Sequence, residues 1–210
     1  MTQPTTIEDI QIILTQPGNA RLAVVKVITS EPGLYGVGCA TFTQRIHAVA
    51  AAVEQHLKPF LIGRDVSRIE EIWQMSMVHG YWRNGPVLNN AISGVGQALW
   101  DIKGKQAGMP VYDLLGGKCR EAANVYVHAD GPTPQDVTDR VREFVDDGFR
   151  YVRIQQGLYG GGTTGTAPPT GAPEGAYFDP TAYRRETLKM MEHVRNAVGP
   201  DVELLHDVHE

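Results

Sequence analysis

The sequence predicts an α+β domain followed by the beginning of an α/β domain. Three β-rich stretches separated by turn residues come first, and three stretches with helical apolar periodicity follow them. After residue 117 the order changes, because short apolar runs then alternate with helical stretches. Such alternation is typical of a parallel sheet with helical connections. We therefore expect an α+β domain at residues 1–117 and three strand–helix units of an α/β sheet or barrel at residues 118–210.

The first domain begins with two stretches, Ile7 to Thr15 and Leu22 to Thr29, that predict a hairpin because Pro17-Gly18-Asn19 between them has turn composition. A third stretch, Leu34 to Phe42, follows another turn and completes a predicted three-stranded antiparallel sheet. This third stretch is rich in glycine, which inside a strand indicates that another segment approaches closely.

Apolar residues at three- and four-residue spacing predict three helices after the sheet. Their apolar stripes are Ile46, Val49, Val53, Leu57 and Phe60, then Val66, Ile69, Ile72 or Trp73, and Met77, and finally Leu88, Ile92, Val95, Leu99 and Ile102. Pro86 predicts the start of the third helix, and Gly108-Met109-Pro110 predicts its end.

In the second domain we predict strands at Asn124 to His128, Tyr151 to Gln155 and Val202 to His206, and helices at Thr133 to Asp147 and Pro180 to Val198. A loop rich in glycine, threonine and proline, Gly157 to Ala176, follows the second strand. Loops of this length in a compact domain are commonly active-site lids or disordered segments. Because ligands bind at the carboxyl ends of parallel strands, we expect His128, the strand end Arg153 to Gln155 and the segment Asp207 to His209 to converge on one shared site.

The last strand ends in a cluster of acidic and imidazole side chains. Since side chains alternate along a strand, we expect Asp207 and His209 on one side and His206 and Val208 on the other. A carboxylate and an imidazole together supply a hard oxygen ligand for a divalent cation and a group that carries a proton near neutral pH. Two polar residues that merely face water would show the same pattern, so the motif alone leaves both interpretations open.

Composition excludes several classes of partner. The formal net charge is −5, the sequence pI is about 5.8, and there is no basic patch, so we expect no binding to nucleic acid or to an anionic membrane. The first residues lack the features of a signal peptide, and no apolar run is long enough to cross a bilayer. Cys39 and Cys119 lie far apart without metal-type spacing, which indicates reduced thiols. These features predict a cytoplasmic protein.

Longer motifs resemble a known family. The segment Ala98 to Gly117 is similar to the end of the capping domain in the enolase superfamily. Within that superfamily, four segments resemble the mannonate dehydratase group: Ile62 to Asp65, Tyr81 to Pro86, Val125 to Ala129 and His206 to Glu210. Two further segments resemble its starvation-sensing branch: Tyr159 to Gly161 and Tyr177 to Pro180. The resemblance implies an enolase-like fold: an α+β capping domain followed by the start of an α/β (TIM-type) barrel, truncated after its third strand.

The same resemblance implies an Mg²⁺-dependent acid-sugar dehydratase, a hydro-lyase of low activity. It would remove water from D-mannonate, D-gluconate or both to give 2-keto-3-deoxygluconate. By similarity, Asp207 is a metal ligand, Arg153 lowers the proton affinity of a tyrosinate base through its fixed positive charge, and His209 is the acid that helps the hydroxyl leave. Members of the group are commonly homo-oligomers that act on a small acid sugar.

Three substrate contacts are implied by the resemblance: His128, Thr43 and Trp82. Active members carry an asparagine at the position of Thr43, whose shorter side chain cannot make the paired hydrogen bonds of an amide. Trp82 could equally belong to an interface of the capping domain, and His128 could cap neighbouring backbone groups. Arg153 could likewise be a structural ion-pair partner.

The position of the base differs from the pattern of the group. Active members place the base tyrosine twelve residues after the arginine, where this chain has Gly165. Tyr159 is the nearest tyrosine and the candidate base, although a packing role in its loop fits its position equally well. The alternative to a dehydratase is therefore a catalytically silent relative that binds a small carboxylate or a protein partner as a sensor or regulator.

A closed eight-stranded barrel takes about 250 residues, far more than follow residue 117. The two further metal ligands that family members carry on later strands are not in this sequence, and Asp207 alone would hold Mg²⁺ weakly. We therefore expect residues 1–210 to be one segment of a longer polypeptide.

Overall fold

The structure is a computed structural model that describes residues 3–157, 170–171, 173 and 179–208. The chain forms two compact units, Met1–Cys119 and Arg120–Glu210, which we call the N-terminal and the C-terminal unit. No helix within the described ranges combines the length and the apolar composition that a bilayer crossing requires.

The N-terminal unit contains the predicted antiparallel sheet, in the order β1 (Ile7–Thr15), β2 (Leu22–Thr29) and β3 (Tyr35–Cys39). Along β2 every second side chain is buried, as in a sheet with one face on a core. The predicted hairpin and sheet are confirmed. Strand β3 ends three residues before the predicted end, because the chain turns there into its first helical segment.

Helices pack against this sheet. The first helical run consists of a 3₁₀ turn (Thr43–Arg45), α1 (Ile46–Ala52), a π-helical turn (Val53–Leu57) and α2 (Lys58–Leu61). It is followed by α3 (Ile69–His79), α4 (Pro86–Ala107) and the short α5 (Val111–Leu114). Gly108, in the left-handed conformation with φ 64°, ends α4 as predicted. The residues of the three predicted apolar stripes lie in the core of this unit or pack against it, with Ile72 buried and its alternative Trp73 48% exposed.

Helix α4 packs so closely on strand β3 that the backbones of the two elements are in contact. A Cβ atom added at Gly36 would lie 1.9 Å from the carbonyl oxygen of Ala98, and one added at Gly38 would lie 2.1 Å from that of Gly94. No side chain larger than hydrogen fits at either position. This contact explains the glycines in β3 and confirms the predicted close approach.

Side chains of α4 also occupy the outer edge of β3. Asp101 accepts a hydrogen bond from the backbone N–H of Val37 at 2.9 Å, and Gln97 accepts one from the N–H of Cys39 at 3.1 Å. An edge strand normally leaves such donors open. Here the helix supplies the acceptors that a fourth strand would otherwise provide.

Alanine at Gly36 should destabilise the N-terminal unit, because the added methyl group meets backbone atoms of α4 that cannot rotate away. We expect the free energy of unfolding to fall by about 1–3 kcal/mol or more. Urea unfolding followed by tryptophan fluorescence measures this unit selectively, since all three tryptophans, Trp73, Trp82 and Trp100, lie in it.

The matched control is Gly96→Ala on α4, the helix that contacts Gly36. A Cβ atom added at Gly96 has no neighbour within 4 Å. Replacing a glycine inside a helix by alanine should raise the free energy of unfolding by about 0.5–1 kcal/mol. If Gly36→Ala and Gly96→Ala changed stability equally, close packing would not be the reason for the glycine at Gly36.

Asp9 of β1 and Lys58 of α2 form an ion pair with an N–O distance of 2.5 Å. The hydrogen bond from Lys58 holds the pKa of the Asp9 carboxyl below its ordinary value of 3.8. Because the folded pKa is lower than the unfolded one, the stabilisation is complete above the unfolded pKa and is lost as the pH falls through the folded pKa.

Asp9→Asn should therefore lower the free energy of unfolding at pH 7 by about 0.2–1 kcal/mol, the range for partly exposed ion pairs. The difference from wild type should shrink as the pH falls below 3.8, the ordinary pKa of this group. Urea unfolding at pH 7 and at successively lower pH measures the difference directly. A difference that stays constant with pH would show that the carboxylate charge is not what stabilises.

The C-terminal unit contains a parallel sheet in the order β4 (Val127–Gly131), β5 (Tyr151–Gln156) and β6 (Glu203–Leu205), with α6 (Pro134–Asp146) and α7 (Pro180–Val198) packed on one face. Thr133 caps α6 through a capping box, and Asp179 caps α7. Between sheet and helices lie Ala129, Val137, Val141, Val152, Ile154, Met190, Val194 and Val202. The predicted alternation of strands and helices is confirmed.

Strand β4 lies three residues later than predicted. The sequence predicts Asn124 to His128, but the strand is Val127–Gly131. Its fully buried residue is the small Ala129, whereas Val125, which made the earlier stretch apolar, is 64% exposed. In consequence Asp130, rather than His128, lies near the carboxyl end of β4. Strand β6 is one residue shorter at each end than predicted.

Candidate functional site

The face of the parallel sheet that points away from α6 and α7 carries polar side chains. On β5 the residues at even positions 152 and 154 pack towards the helices, so alternation places Arg153 and Gln155 on the opposite face. In the register of β4 and β5, His128 lies beside Arg153 and Asp130 beside Gln155. We call this side of the sheet, with Asp207 after β6, the polar face.

Arg153 is 4% exposed and lies between two carboxylates. Its Nη2 donates a hydrogen bond to Oδ1 of Asp130, and its Nη1 donates one to Oδ2 of Asp207, each over 3.4 Å. A guanidinium keeps its charge inside a protein, and burying such a charge without a partner costs several kcal/mol. The two carboxylates offset that penalty and tie the neighbouring strands to β5.

The two carboxylates remain accessible although the arginine is buried. The side chain of Asp130 is 51% exposed and that of Asp207 is 42% exposed. Both carboxylate side chains therefore reach solvent, whereas the guanidinium hardly does. The polar face presents hard oxygen donors next to a fixed positive charge.

Gln155 adds a buried amide to the polar face. It is 2% exposed, and neither Oε1 nor Nε2 has a hydrogen-bond partner among the residues that the structure describes. A buried polar group without a partner costs about 1–3 kcal/mol. Gln155 is one alternation step closer to the carboxyl end of β5 than Arg153, so this polar group lies towards the side where parallel sheets bind ligands.

His206 points to the other face, as alternation along the last strand predicts. Its Nδ1 lies 2.8 Å from the carbonyl oxygen of Ile154, and its Nε2 lies 3.0 Å from the hydroxyl of Tyr183 on α7. Because a carbonyl oxygen only accepts, Nδ1 carries the hydrogen, and in the neutral ring Nε2 accepts from the tyrosine. The imidazole thus links α7 to β5 and has a structural role.

Tyr183→Phe should loosen this link, because the change leaves Nε2 of His206 without its donor. We expect a loss of about 1 kcal/mol in local stability, seen as faster amide hydrogen exchange in β6. Tyr151→Phe is the control, because within the described ranges the hydroxyl of Tyr151 makes a single, long hydrogen bond of 3.5 Å, with exposed Asn124. Unchanged protection of β6 in Tyr183→Phe would mean that the imidazole does not hold the strand.

The structure brings together Arg153 and Asp207, and it places His128 beside Arg153 in the register of β4 and β5. The ring of His128 stacks on that of Tyr126, with centroids 5.4 Å apart. Tyr159 and His209, the predicted base and acid, lie outside the described residues.

The other two predicted contacts, Thr43 and Trp82, belong to the N-terminal unit. Thr43 opens the 3₁₀ turn before α1. Trp82 lies in the loop between α3 and α4, is 84% exposed, and meets Tyr81 edge to face with ring centroids 5.3 Å apart. Tyr81 and Asn84 of this loop have positive φ, at 62° and 80°, which is uncommon for residues other than glycine.

Sequence reasoning missed Asp130 as a partner of Arg153. The available signal was its spacing of two from His128, which puts both side chains on one face of a strand. The misplaced end of β4 hid that signal. The pairing of Tyr183 with His206 had no local signal, because the two residues lie on different elements.

The donors on the polar face fit a hard divalent cation in kind. Carboxylate oxygens are the ligands that Mg²⁺ prefers, and its octahedral shell is usually completed by several waters or further oxygens. Within the described ranges, no group of three or more His, Cys, Asp or Glu residues is arranged to hold a metal. Asp207 would thus supply one ligand of a larger set.

Comparison with known proteins gives a consistent result. Residues 1–116 match the N-terminal domain model of the mandelate racemase / muconate lactonizing enzyme family. The D-galactonate dehydratase family member RspA from Pantoea ananatis is 53% identical, over 97% of this chain and 53% of its own length. A D-galactonate dehydratase family member from Enterocloster bolteae is 52% identical, over 98% of this chain and 52% of its own length.

Among solved structures, an enolase from Pantoea ananatis with bound D-gluconate and magnesium matches with a TM-score of 0.88 and 52% identity. The match covers 98% of this chain and 54% of that structure. The chain spans about half the length of the curated relatives it matches.

The chain therefore belongs to the mandelate racemase / muconate lactonizing enzyme family, whose N-terminal domain occupies residues 1–116. The predicted membership of the dehydratase group of the enolase superfamily is confirmed by the family model, the relatives at about 50% identity and the matching structure. The predicted enolase-like fold class is confirmed by the same comparisons.

Proposed function

We propose that this chain is part of an Mg²⁺-dependent dehydratase of six-carbon acid sugars, with D-gluconate and D-mannonate as candidate substrates. The observation that carries the proposal is the contact between buried Arg153 and accessible Asp207 at the carboxyl end of the parallel sheet. The relatives named as D-galactonate dehydratase family members, and the enolase that holds D-gluconate and magnesium, support the reaction class and the cation.

The reaction requires removal of the proton on the carbon next to the substrate carboxylate, which is very weakly acidic. Bound Mg²⁺ supplies positive charge that stabilises the negative charge developing on the carboxylate oxygens. We assign Asp207 to the cation as an oxygen ligand. Arg153 stays protonated, so its charge favours an anionic base beside it.

We assign the base to Tyr159 and the general acid to His209. The base takes the proton from the carbon beside the carboxylate, and the electron pair of that C–H bond forms a double bond to the next carbon. His209 gives a proton to the hydroxyl on that next carbon, which leaves as water. The resulting enol tautomerises to the 2-keto-3-deoxy acid. The role of His209 rests on the sequence resemblance, whereas Tyr159 is assigned as the tyrosine nearest to the position of the base, where this chain has Gly165.

We further assign His128, Thr43 and Trp82 as contacts of the substrate. His128 is supported by its position beside Arg153 in the strand register. Thr43 and Trp82 are supported by the resemblance alone. A homo-oligomeric state and a cytoplasmic location are also proposals that the resemblance and the composition support.

The test uses the full-length gene product that contains this chain, incubated with Mg²⁺ and a panel of six-carbon acid sugars led by D-gluconate and D-mannonate. We expect 2-keto-3-deoxy acid to form, and Asp207→Asn to reduce its rate at least about a hundredfold through loss of a charged metal ligand. Asp201→Asn is the matched control, because it removes an exposed carboxylate six residues earlier and should leave the rate unchanged.

Absence of product from every sugar, with Mg²⁺ demonstrably bound, would overturn the dehydratase. That result would favour a catalytically silent relative that binds a small carboxylate or a protein partner as a sensor or regulator. Product that is formed equally well by Asp207→Asn would overturn the assignment of Asp207 instead.

A further inference from the structure

We propose that Asp130 is a positioning residue that holds Arg153 through its Nη2 and thereby leaves the Asp207 carboxylate available to the cation. The inference rests on the proposed function, since it concerns the same metal site. Asp130 itself would not bind the cation; it acts through the arginine.

Among the residues that the structure describes, two carboxylates contact the guanidinium. Nη2 is 3.4 Å from Oδ1 of Asp130, and Nη1 is 3.4 Å from Oδ2 of Asp207. Because different nitrogens serve the two carboxylates, both contacts exist at the same time. The side chain of Arg153 is 4% exposed, so its position is set by protein groups rather than by water.

The electrostatics explain why a second carboxylate is needed. A cation bound at Asp207 would lie close to the fixed charge of Arg153, and two like charges in a poorly solvated place repel strongly. Asp130 adds a negative charge on the other side of the guanidinium and weakens that repulsion. It also competes for the guanidinium, which would otherwise pair more closely with Asp207 and shield the carboxylate from the metal.

The placement on the strands supports a positioning role. Asp130 lies near the carboxyl end of β4, and its register partner is Gln155, whereas Arg153 lies beside His128 one alternation step deeper. The Asp130 side chain must therefore lean back along the sheet to reach the guanidinium. Because the Arg153 side chain is almost fully buried, its contact with Asp130 differs from an ion pair between two surface residues.

The experiment measures Mg²⁺ affinity by titration calorimetry on the full-length gene product that contains this chain, with Mg²⁺ alone as the probe. We expect Asp130→Asn and Asp130→Ser, two variants without the charge, to weaken Mg²⁺ binding about tenfold, as removal of outer-shell groups typically does. Asp130→Glu should return the affinity to within about threefold of wild type. Asp139→Asn, which removes a carboxylate paired with Arg142 on α6, should have no effect.

A double-mutant cycle separates positioning from a direct effect. In an Arg153→Met background, Asp130→Asn should change Mg²⁺ affinity less than about twofold, because the group through which Asp130 acts is gone. An equal loss in both backgrounds would overturn the proposal, as would wild-type affinity in either neutral variant. Urea unfolding of each variant shows whether it is folded, and if one neutral variant fails to fold, the other supplies the comparison.

The outcomes also distinguish this inference from the proposed function. Wild-type protein that binds Mg²⁺ and shows the expected losses, but forms no product, would support the role of Asp130 and overturn the dehydratase. Unchanged Mg²⁺ affinity in Asp207→Asn would overturn the assignment of the metal site to Asp207, and both proposals would fail.

Discussion

A buried guanidinium that cannot give up its proton is the constraint on which the C-terminal unit depends. Arg153 needs negative charge within reach, and the two carboxylates that supply it come from β4 and from the end of β6. A slip of one residue in either strand would turn its carboxylate to the helix face and leave the charge without that compensation. Charge pairing therefore adds to the packing of Leu204 in fixing the register of a sheet whose last strand is only three residues long.

The elements with strong local signals follow from the sequence. Helix α7 has the predicted bounds because Asp179-Pro180 favours a helix start and Gly199 favours its end. Strand β4 does not follow in this way. Val125 and Tyr126 are apolar and β-prone, yet they are exposed in the C-terminal unit, and a small alanine is the residue that the helices cover. Which of several short apolar residues becomes buried depends on the partners that pack on it, and propensity does not encode that choice.

The candidate site was predictable to a similar extent. Alternation and the strand-end rule were enough to select Arg153 and Asp207, and the structure brings these two side chains into contact. Prediction of the third member, Asp130, required the correct end of strand β4, and strand boundaries are the least reliable part of a prediction from sequence patterns. The unpartnered amide of Gln155 is a property of tertiary burial, and a glutamine in a strand pattern carries no sign of it. All of the assigned catalytic, metal-binding and substrate-binding roles stay predictions, and Tyr159 and His209 lie outside the described residues.

The contact between α4 and β3 has a consequence for association as well as for folding. Sheets grow into aggregates when an edge strand offers free donors to a strand of another molecule. On β3, Asp101 and Gln97 already take the donors of Val37 and Cys39, and α4 itself blocks the approach. The helix can come near enough only because the strand carries glycine at that contact. A larger residue there would push α4 away and leave these two backbone donors open to pairing with a strand of another molecule.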